Sequence, residues 1–347
     1  MLPPQIAAEL YTMYLAKGVR ATTAIEGNTL TEEQVRERIQ KVNSLPKSLE
    51  YQGREVDNLL LACGEIADKV TAGDDCDLTV DSVARYNSMV LSGLPVEEHV
   101  VPGEIRNYEV GVGRYRGAPP QDCRYLLERL CAFINDDFRP PDASQKIAFG
   151  VMRSIVAHLY LAWIHPFGDG NGRTARLLEF QLLLGAGVPA VSAHLLSNHY
   201  NETRPEYYRQ LDAARRSPFL FMDYAVQGLV DRLDKQIKRI RRYQYAVMWK
   251  DFVYDKFREH KTRATHRQRL LALAIGTRKS KVQISELWTL TPALAQEYGG
   301  KTSKTVMRDV NALRDMGLVH RTDKTVSANR AKLQGFLPSR RDKDKWM

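Results

Sequence analysis

The sequence predicts a mainly α protein in two parts: a helical core interrupted by one β-hairpin, then a smaller C-terminal domain. Three observations carry this. Apolar residues recur at helical spacing through most of residues 1–260, as in Ser144–Trp163, where Ile147, Val151, Ile155 and Leu159 share one stripe. Only Val101–Ala118, VPGEIRNYEVGVGRYRGA, alternates β-formers with glycines in the manner of a hairpin. The charge also changes sign along the chain. Residues 231–347 hold 28 Lys and Arg against 12 Asp and Glu, net +16, whereas residues 1–230 hold 23 against 29, net −6. The boundary is placed near residue 258, giving domains 1–257 and 258–347.

At 347 residues the chain exceeds one typical domain. Its 44% hydrophobic and 27% charged residues are those of a soluble globular protein. MLPPQIAAEL has no basic region followed by an apolar core, so no signal peptide is read. The most apolar stretch, near Leu177–Leu196, is broken by Glu179, Gln181, Pro189 and His194, which makes it a poor membrane span. Cys63, Cys76, Cys123 and Cys131 form no CxxC pair and read as reduced thiols of a cytoplasmic protein. Secreted disulfide scaffolds and membrane proteins are thereby set aside, and a homodimer is left open.

The elements follow in order. A helix is expected over about 20–45, then the hairpin, then Ser144–Trp163. A glycine-rich loop leads into a helix over Gly172–Leu184, which Gly185 and Gly187 stop. A charged stretch over about 231–257 reads as a long connecting helix. Beyond it, Arg267–Ile275 supplies an apolar helix. Thr291 and Pro292 open a second that runs to Tyr298 and closes at Gly299-Gly300. Ser303–Met316 forms a third, with Val306, Val310 and Leu313 inward and Lys304, Thr305, Arg308 and Asn311 outward. LVHRTDKTVS then reads as a strand and wing turn. Residues 262–330 thus look like a winged helix-turn-helix, and the basic surplus makes DNA the expected partner, with a docking element as the alternative.

The chemistry concentrates in HPFGDGNGRTAR, residues 165–176. The glycines let backbone approach a ligand, and the free N–H groups at the start of the following helix suit an anion. Arg173 and Arg176 are three apart, so both leave nearly the same face of the first turn, where two guanidinium forks suit a polyphosphate. Asp169 could hold Mg²⁺ that bridges phosphate oxygens. His165, at the end of the preceding helix, could take a proton from an attacking hydroxyl. His158 with His165 and His194 with His199 are spaced seven and five apart, unlike the four-residue spacing of a helical zinc pair.

This run resembles the signature of the Fic family, HxFx[DE]GNGRxxR, with no departure. The resemblance extends over about residues 20–230 and implies a Fic-type helical core with a β-hairpin flap. It implies an enzyme, a nucleotidyltransferase that moves AMP from ATP onto a Ser, Thr or Tyr hydroxyl of a target protein or of itself. By that resemblance His165, Asn171 and Arg173 are the catalytic residues, with His165 the base. Gly168, Asp169, Gly170, Asn171, Gly172, Arg173 and Arg176 bind the nucleotide, with Asp169 holding Mg²⁺. Asn171 and nearby backbone amides make the anion hole, and Phe167 anchors the loop. Gly172 stands where the phosphate-transferring branch has lysine, which favours AMP transfer. Gly103 and Arg106 match the entry to the flap, whose Val110 and Val112 lie over the nucleotide. Tyr207 and Tyr208 resemble the pair that lines the adenine pocket, while Arg215 stands where relatives carry asparagine. Thr22–Asn28 resembles the inhibitory motif [ST]xxxE[GN], which implies that Glu26 pairs with Arg176 and occupies the γ-phosphate fork. A DNA-binding regulator whose body senses nucleotide without catalysis is the competing class, and a different nucleotide or a phosphocholine donor is the competing substrate.

Overall fold

The computed structural model describes residues 4–73, 76–112, 115–259, 262–278 and 280–334. Pro4–Lys235 form one compact unit and the chain from Gln236 onward forms another.

The first unit is helical. In chain order it has α1 (Pro4–Ile25), α2 (Glu32–Ile39), α3 (Glu50–Ala72), α4 (Val80–Leu91), strands β1 (Gly111–Val112) and β2 (Tyr115–Arg116), α5 (Pro120–Ala132), α6 (Lys146–Ile164), α7 (Asn171–Gly185), α8 (Ala190–Ala193), α9 (Leu195–Glu202) and α10 (Arg204–Ala213). Helix α11 (Pro218–Lys256) follows. Helices α6 and α7 pair along their length; α1, α3 and α4 pack on α7, and α5 packs on α6. Helix α7 is therefore enclosed. Every residue from Arg173 to Leu184 is buried, Arg173, Arg176, Glu179 and Gln181 included. Threonines start the shorter helices: Thr31 with Gln34 and Thr79 with Ser82 form reciprocal capping boxes.

Four expectations need correction. There is no single helix over 20–45. Helix α1 ends at Ile25, Gly27 takes a left-handed turn at φ 102°, and α2 begins only at Glu32. The hairpin is shorter than Val101–Ala118, because its ladder joins only Gly111 to Arg116 and Val112 to Tyr115. The preceding segment bonds to the loop after α6 instead, through an Ile105–Phe167 bridge and an Arg106 N–H to Pro166 carbonyl bond of 2.9 Å. The stripe on α6 is rotated: Ile147 is 55% exposed, while Ile155, Ala157, Leu159 and Leu161 are sealed. That helix, as Ala143–Ile164, is also the segment among the described residues apolar and long enough to cross a membrane, rather than Leu177–Leu196. It lies half buried against α5 and α7.

The second unit holds the end of α11, then α12 (Arg263–Thr277), β3 (Val282–Gln283), α13 (Pro292–Tyr298), α14 (Ser303–Asp315), β4 (Val319–Arg321), β5 (Thr325–Ala328) and α15 (Ala331–Gln334). The strands form an antiparallel sheet in the order β3-β5-β4, two strands more than the single strand and wing turn read from the sequence. Val306, Val310 and Leu313 of α14 are buried as expected, while Lys304 and Arg308 are exposed. The division at Lys235 falls earlier than the expected 257/258. Trp249, Val253 and Phe257, from the end of α11 and the residue beyond it, belong to the second core with Leu271, Leu287 and Val310.

Asp309 is the unforeseen feature of this core. It is fully buried and accepts hydrogen bonds from Arg267 Nε at 2.7 Å, Gln268 Nε2 at 2.9 Å and the Tyr298 hydroxyl at 3.0 Å. Asp309→Ala leaves the Arg267 charge buried without a partner, which costs about 3–5 kcal/mol when such a pair is broken. Urea unfolding of the full chain, read by fluorescence, should show a second-unit transition at distinctly lower denaturant. A midpoint equal to that of the wild type would refute this.

Candidate active site

The segment between α6 and α7 is shaped by two fixed points. Helix α6 ends when His165 turns left-handed at φ 50°, a conformation rare outside glycine but one that histidine tolerates. Arg106 holds this bend. Its guanidinium, buried, donates from Nε to the His165 carbonyl at 2.7 Å, from Nη1 to Tyr108 at 2.6 Å and from Nη2 to Ala118 at 2.5 Å. A single planar fork thus ties the approach to the hairpin, its exit and the loop together. The second fixed point is Phe167, wholly buried. Asn171 brackets its backbone, accepting from the Phe167 N–H at 3.0 Å and donating to its carbonyl at 2.8 Å.

Asn171 thus commits its Oδ1 and one of its two amide N–H groups to the loop backbone. What α7 presents to an anion is its backbone. The first intrahelical bond runs from the Thr174 N–H to the Gly170 carbonyl, so the N–H groups of Asn171, Gly172 and Arg173 precede the ladder. Gly170, at φ 74°, makes the turn into that helix start.

These elements wall a cavity of about 1140 Å³. His165, Gly168, Asp169, Gly170, Asn171 and Gly172 line one side; Val110, Tyr115, Tyr207, Tyr208 and Arg215 line others. Val112 contributes its backbone to β1, and its side chain lies outside the described residues. Tyr207 is buried, with its hydroxyl 2.9 Å from His158 Nε2, and Tyr208 packs beside it at 5.1 Å between ring centroids. Arg215 lies over the Tyr115 ring at 5.9 Å.

His165 has its Nδ1 3.3 Å from the Ala162 carbonyl. Since a carbonyl only accepts, Nδ1 carries the proton and Nε2 is the nitrogen left to take one. Burial, with the Arg106 charge added, holds the imidazole below its ordinary pKa against the pull of the Ala162 carbonyl, so it is neutral at pH 7. Asp169 is the hard oxygen donor of the site. Its side chain is 48% exposed, and Oδ1 accepts from the Gly170 N–H and, at 3.2 Å, from Arg173 Nη2. Among the described residues no three His, Cys, Asp or Glu side chains gather to enclose a metal. A Mg²⁺ that keeps most of its waters and leans on one carboxylate and substrate phosphates fits Asp169.

The two arginines do not line the cavity; Glu26 stands there instead. Arg176 Nη2 donates to Glu26 Oε1 at 2.5 Å and to the Thr22 carbonyl at 3.1 Å, while its Nε and Nη1 are buried without a partner. Burial alone would raise the Glu26 carboxyl, but the charge and hydrogen bond of Arg176, helped by Arg173 and Arg204, bring it below the usual range. Glu26 also explains Gly172, since a Cβ there would collide with Glu26 Oε1. Arg173 is held by a residue the sequence did not single out: its Nη1 donates to Glu55 Oε1 at 2.8 Å. Glu55 sits on α3, more than a hundred residues away in sequence and in no local motif, so only the fold reveals it.

Comparison with known proteins places this geometry. Residues 77–183 match the model of the Fic/DOC family. The chain is 31% identical over 207 residues to the protein adenylyltransferase fic-1 of Caenorhabditis elegans, covering 59% of this chain and 37% of that one. It is 30% identical over 198 residues to the protein adenylyltransferase Fic of Drosophila melanogaster, covering 56% and 36%. The chain thus spans little more than a third of these relatives' length. Among solved structures, a Fic family protein from Desulfovibrio desulfuricans G20 superimposes with a TM-score of 0.56 at 20% identity, covering 94% of this chain and 88% of that one. Fic-1 from C. elegans gives 0.51 at 24%, covering 67% and 63%. These two likenesses speak for the fold. Glu26 and Glu55 precede the family match and Tyr207 follows it, whereas His165, Asp169, Asn171, Arg173 and Arg176 all fall inside residues 77–183, the stretch of this chain that is similar to the Fic/DOC family.

Proposed function

We propose that this chain is a protein adenylyltransferase held at rest by its own Glu26. One observation carries the reading: a neutral imidazole, a half-exposed carboxylate and a free helix start share one cavity, and Glu26, which lines it, covers the guanidinium of Arg176 behind it. The names of the relatives support AMP as the group moved. In the transfer, a hydroxyl of the target protein gives its proton to His165 Nε2. Its oxygen forms a bond to the α-phosphorus of ATP, and the bond to the β-phosphate oxygen breaks, releasing pyrophosphate. The N–H groups of Asn171, Gly172 and Arg173 hold the phosphate oxygens, and Arg173 and Arg176 take the outer phosphates. Asp169 would hold Mg²⁺, which when bound neutralises phosphate charge. The hairpin edge offers main-chain groups to an extended target segment. A nucleotide sensor would need the arginines but no free imidazole nitrogen, so His165 favours the enzyme. Cys63, Cys76, Cys123 and Cys131 are not joined in disulfides, which suits a reducing compartment, and we place the protein in the cytoplasm.

His165→Ala should reduce AMP transfer by ~10²–10⁴, the usual contribution of a general base, and leave ATP affinity within a few fold. The base must be neutral, so the rate should fall as pH drops through the pKa of His165. Because that pKa is lowered, the acid limb of kcat/KM should lie below the ordinary histidine value of about 6.5. Intact mass of the modified target gives the rates; an unchanged rate in His165→Ala would exclude this mechanism.

Glu26→Gly frees the Arg176 fork and strands its charge in a buried place. The variant should melt at lower temperature without nucleotide, gain more from Mg-ATP than the wild type does, and incorporate more AMP into itself and lysate proteins. Equal incorporation by the two proteins would end the autoinhibition reading.

For the C-terminal unit we propose duplex DNA as partner, on the exposed Lys304 and Arg308 of α14 and the exposed Lys324 before β5. Binding of the full chain should fall steeply with salt, each phosphate contact adding roughly 0.9 to the slope. Arg308→Ala should weaken it; no anisotropy change with duplex at low salt would leave a docking role.

A further inference from the structure

Glu55 has a place in the site that the transfer chemistry leaves unused. Its two carboxylate oxygens go to different elements. Oε1 accepts from Arg173 Nη1 on α7 at 2.8 Å, and Oε2 accepts from Asn28 Nδ2 at 2.8 Å. Asn28 belongs to the turn that carries Glu26. That turn is fastened to α3 by more than this one bond: Asn28 Nδ2 also donates to the Gln52 carbonyl at 3.0 Å, and Gln52 Oε1 accepts from the N–H and hydroxyl of Thr29 at 2.8 and 3.0 Å. Two carboxylates therefore grip the two arginines of the motif, Glu26 on Arg176 and Glu55 on Arg173, and Asn28 joins them.

The two grips differ in kind. Glu26 lines the cavity, in reach of whatever enters it. Glu55 does not line it, is only 14% exposed, and stands on a long helix packed on α4 and α7. Arg173 has one other carboxylate, Asp169, which is half exposed and at 3.2 Å. If Asp169 were to hold Mg²⁺, Glu55 would be the carboxylate left to aim the Arg173 guanidinium. Burial, with Glu26 and Asp169 nearby, holds the Glu55 carboxyl above its usual range, against Asn28 and Arg173. A carboxylate kept in such a place needs both of its partners.

We propose that Glu55 is a positioning residue of the transfer site: it aims Arg173 at the nucleotide and, through Asn28, ties that aim to the turn that bears Glu26. This rests on reading the cavity as the ATP site. The link is chemically specific. A carboxylate accepts on both oxygens, whereas the amide of Gln accepts on one and presents an NH₂ with the other. Glu55→Gln therefore takes the charge out of both bonds and cannot accept from Arg173 and Asn28 at once, so the hold on each is weakened.

The test uses two backgrounds. In Glu26→Gly, where no lock remains, adding Glu55→Gln should raise the ATP KM about tenfold, the effect of one misdirected charge-assisted bond, with kcat within about threefold. Glu55→Asp should recover part of the loss. In the wild-type background, Glu55→Gln should instead raise AMP incorporation, because the Glu26 turn loosens. Asn28→Ala should raise incorporation too, yet leave the ATP KM of Glu26→Gly unchanged. Opposite signs in the two backgrounds are what a scaffold residue would not produce. Loss of incorporation in both, with a lower melting temperature, overturns the proposal, and so does an unchanged KM in the double variant. Should Glu26→Gly itself transfer no AMP, the transfer reading fails and titration calorimetry with Mg-ATP decides Glu55. Weaker binding by the double variant than by Glu26→Gly supports it; equal binding, or none by either, overturns it.

Discussion

Helix α7 is enclosed on every side, and it carries two guanidinium groups. Much of the first unit follows from that constraint. A charge taken out of water must be matched or it costs several kcal/mol, so each buried group on α7 has to find its partner from another helix. Arg176 finds Glu26 at the end of α1, Arg173 finds Glu55 on α3, and Glu179 accepts from the Tyr200 hydroxyl at 2.8 Å and lies 3.2 Å from His158 Nδ1. The bundle is thus keyed by polar contacts as well as packed by apolar ones. Each of these matches also places a residue at the cavity or beside it.

The loop before α7 obeys a related rule. His165 sits in a backbone conformation that its own sequence does not favour, and the bend persists because Arg106 and Asn171 take up the backbone groups around it. A local strain of about 1–3 kcal/mol is held by its surroundings, as at many sites where geometry matters more than stability. The imidazole is thereby fixed in one tautomer beside a helix start whose N–H groups stay free. Rigidity there has a chemical use: hydrogen-bond donors fixed in advance need no reorganisation when charge develops.

What the sequence made legible was whatever is local. Residues 165–176 contain the bend, the glycine turn, the helix start and both arginines, so their chemistry could be read in one pass. The Thr291 cap and the spacing of Val306, Val310 and Leu313 were equally plain. Long-range pairings were not. Glu55 and Asp309 look like ordinary helix-face carboxylates, and only the packing of α3 on α7 and of α12 on α14 makes Glu55 a largely covered partner and Asp309 a buried one. The hairpin was read too long because glycines and β-formers alternate from Val101 onward, whereas Arg106 recruits the carbonyls of that segment for the loop. The expected end of the first domain followed the end of a helix, although Trp249 and Val253 had already entered the second core.

The same electrostatics explains why inhibition would reside in a carboxylate. A site built for a triphosphate contains an excess of buried positive charge whenever the nucleotide is absent. Arg176 still has its Nε and Nη1 without partners beside Glu26, so even the resting match is incomplete. Without Glu26 the empty site would be more costly still. Glu26 relieves that cost from a position that remains a third exposed, on a turn outside the bundle core. A carboxylate imitates two of the three oxygens of a phosphate and carries less charge, so on the proposed reading it would satisfy the fork and give way to the nucleotide. On this view the resting lock and the stability of the nucleotide-free fold are one interaction, and neither can be tuned without the other.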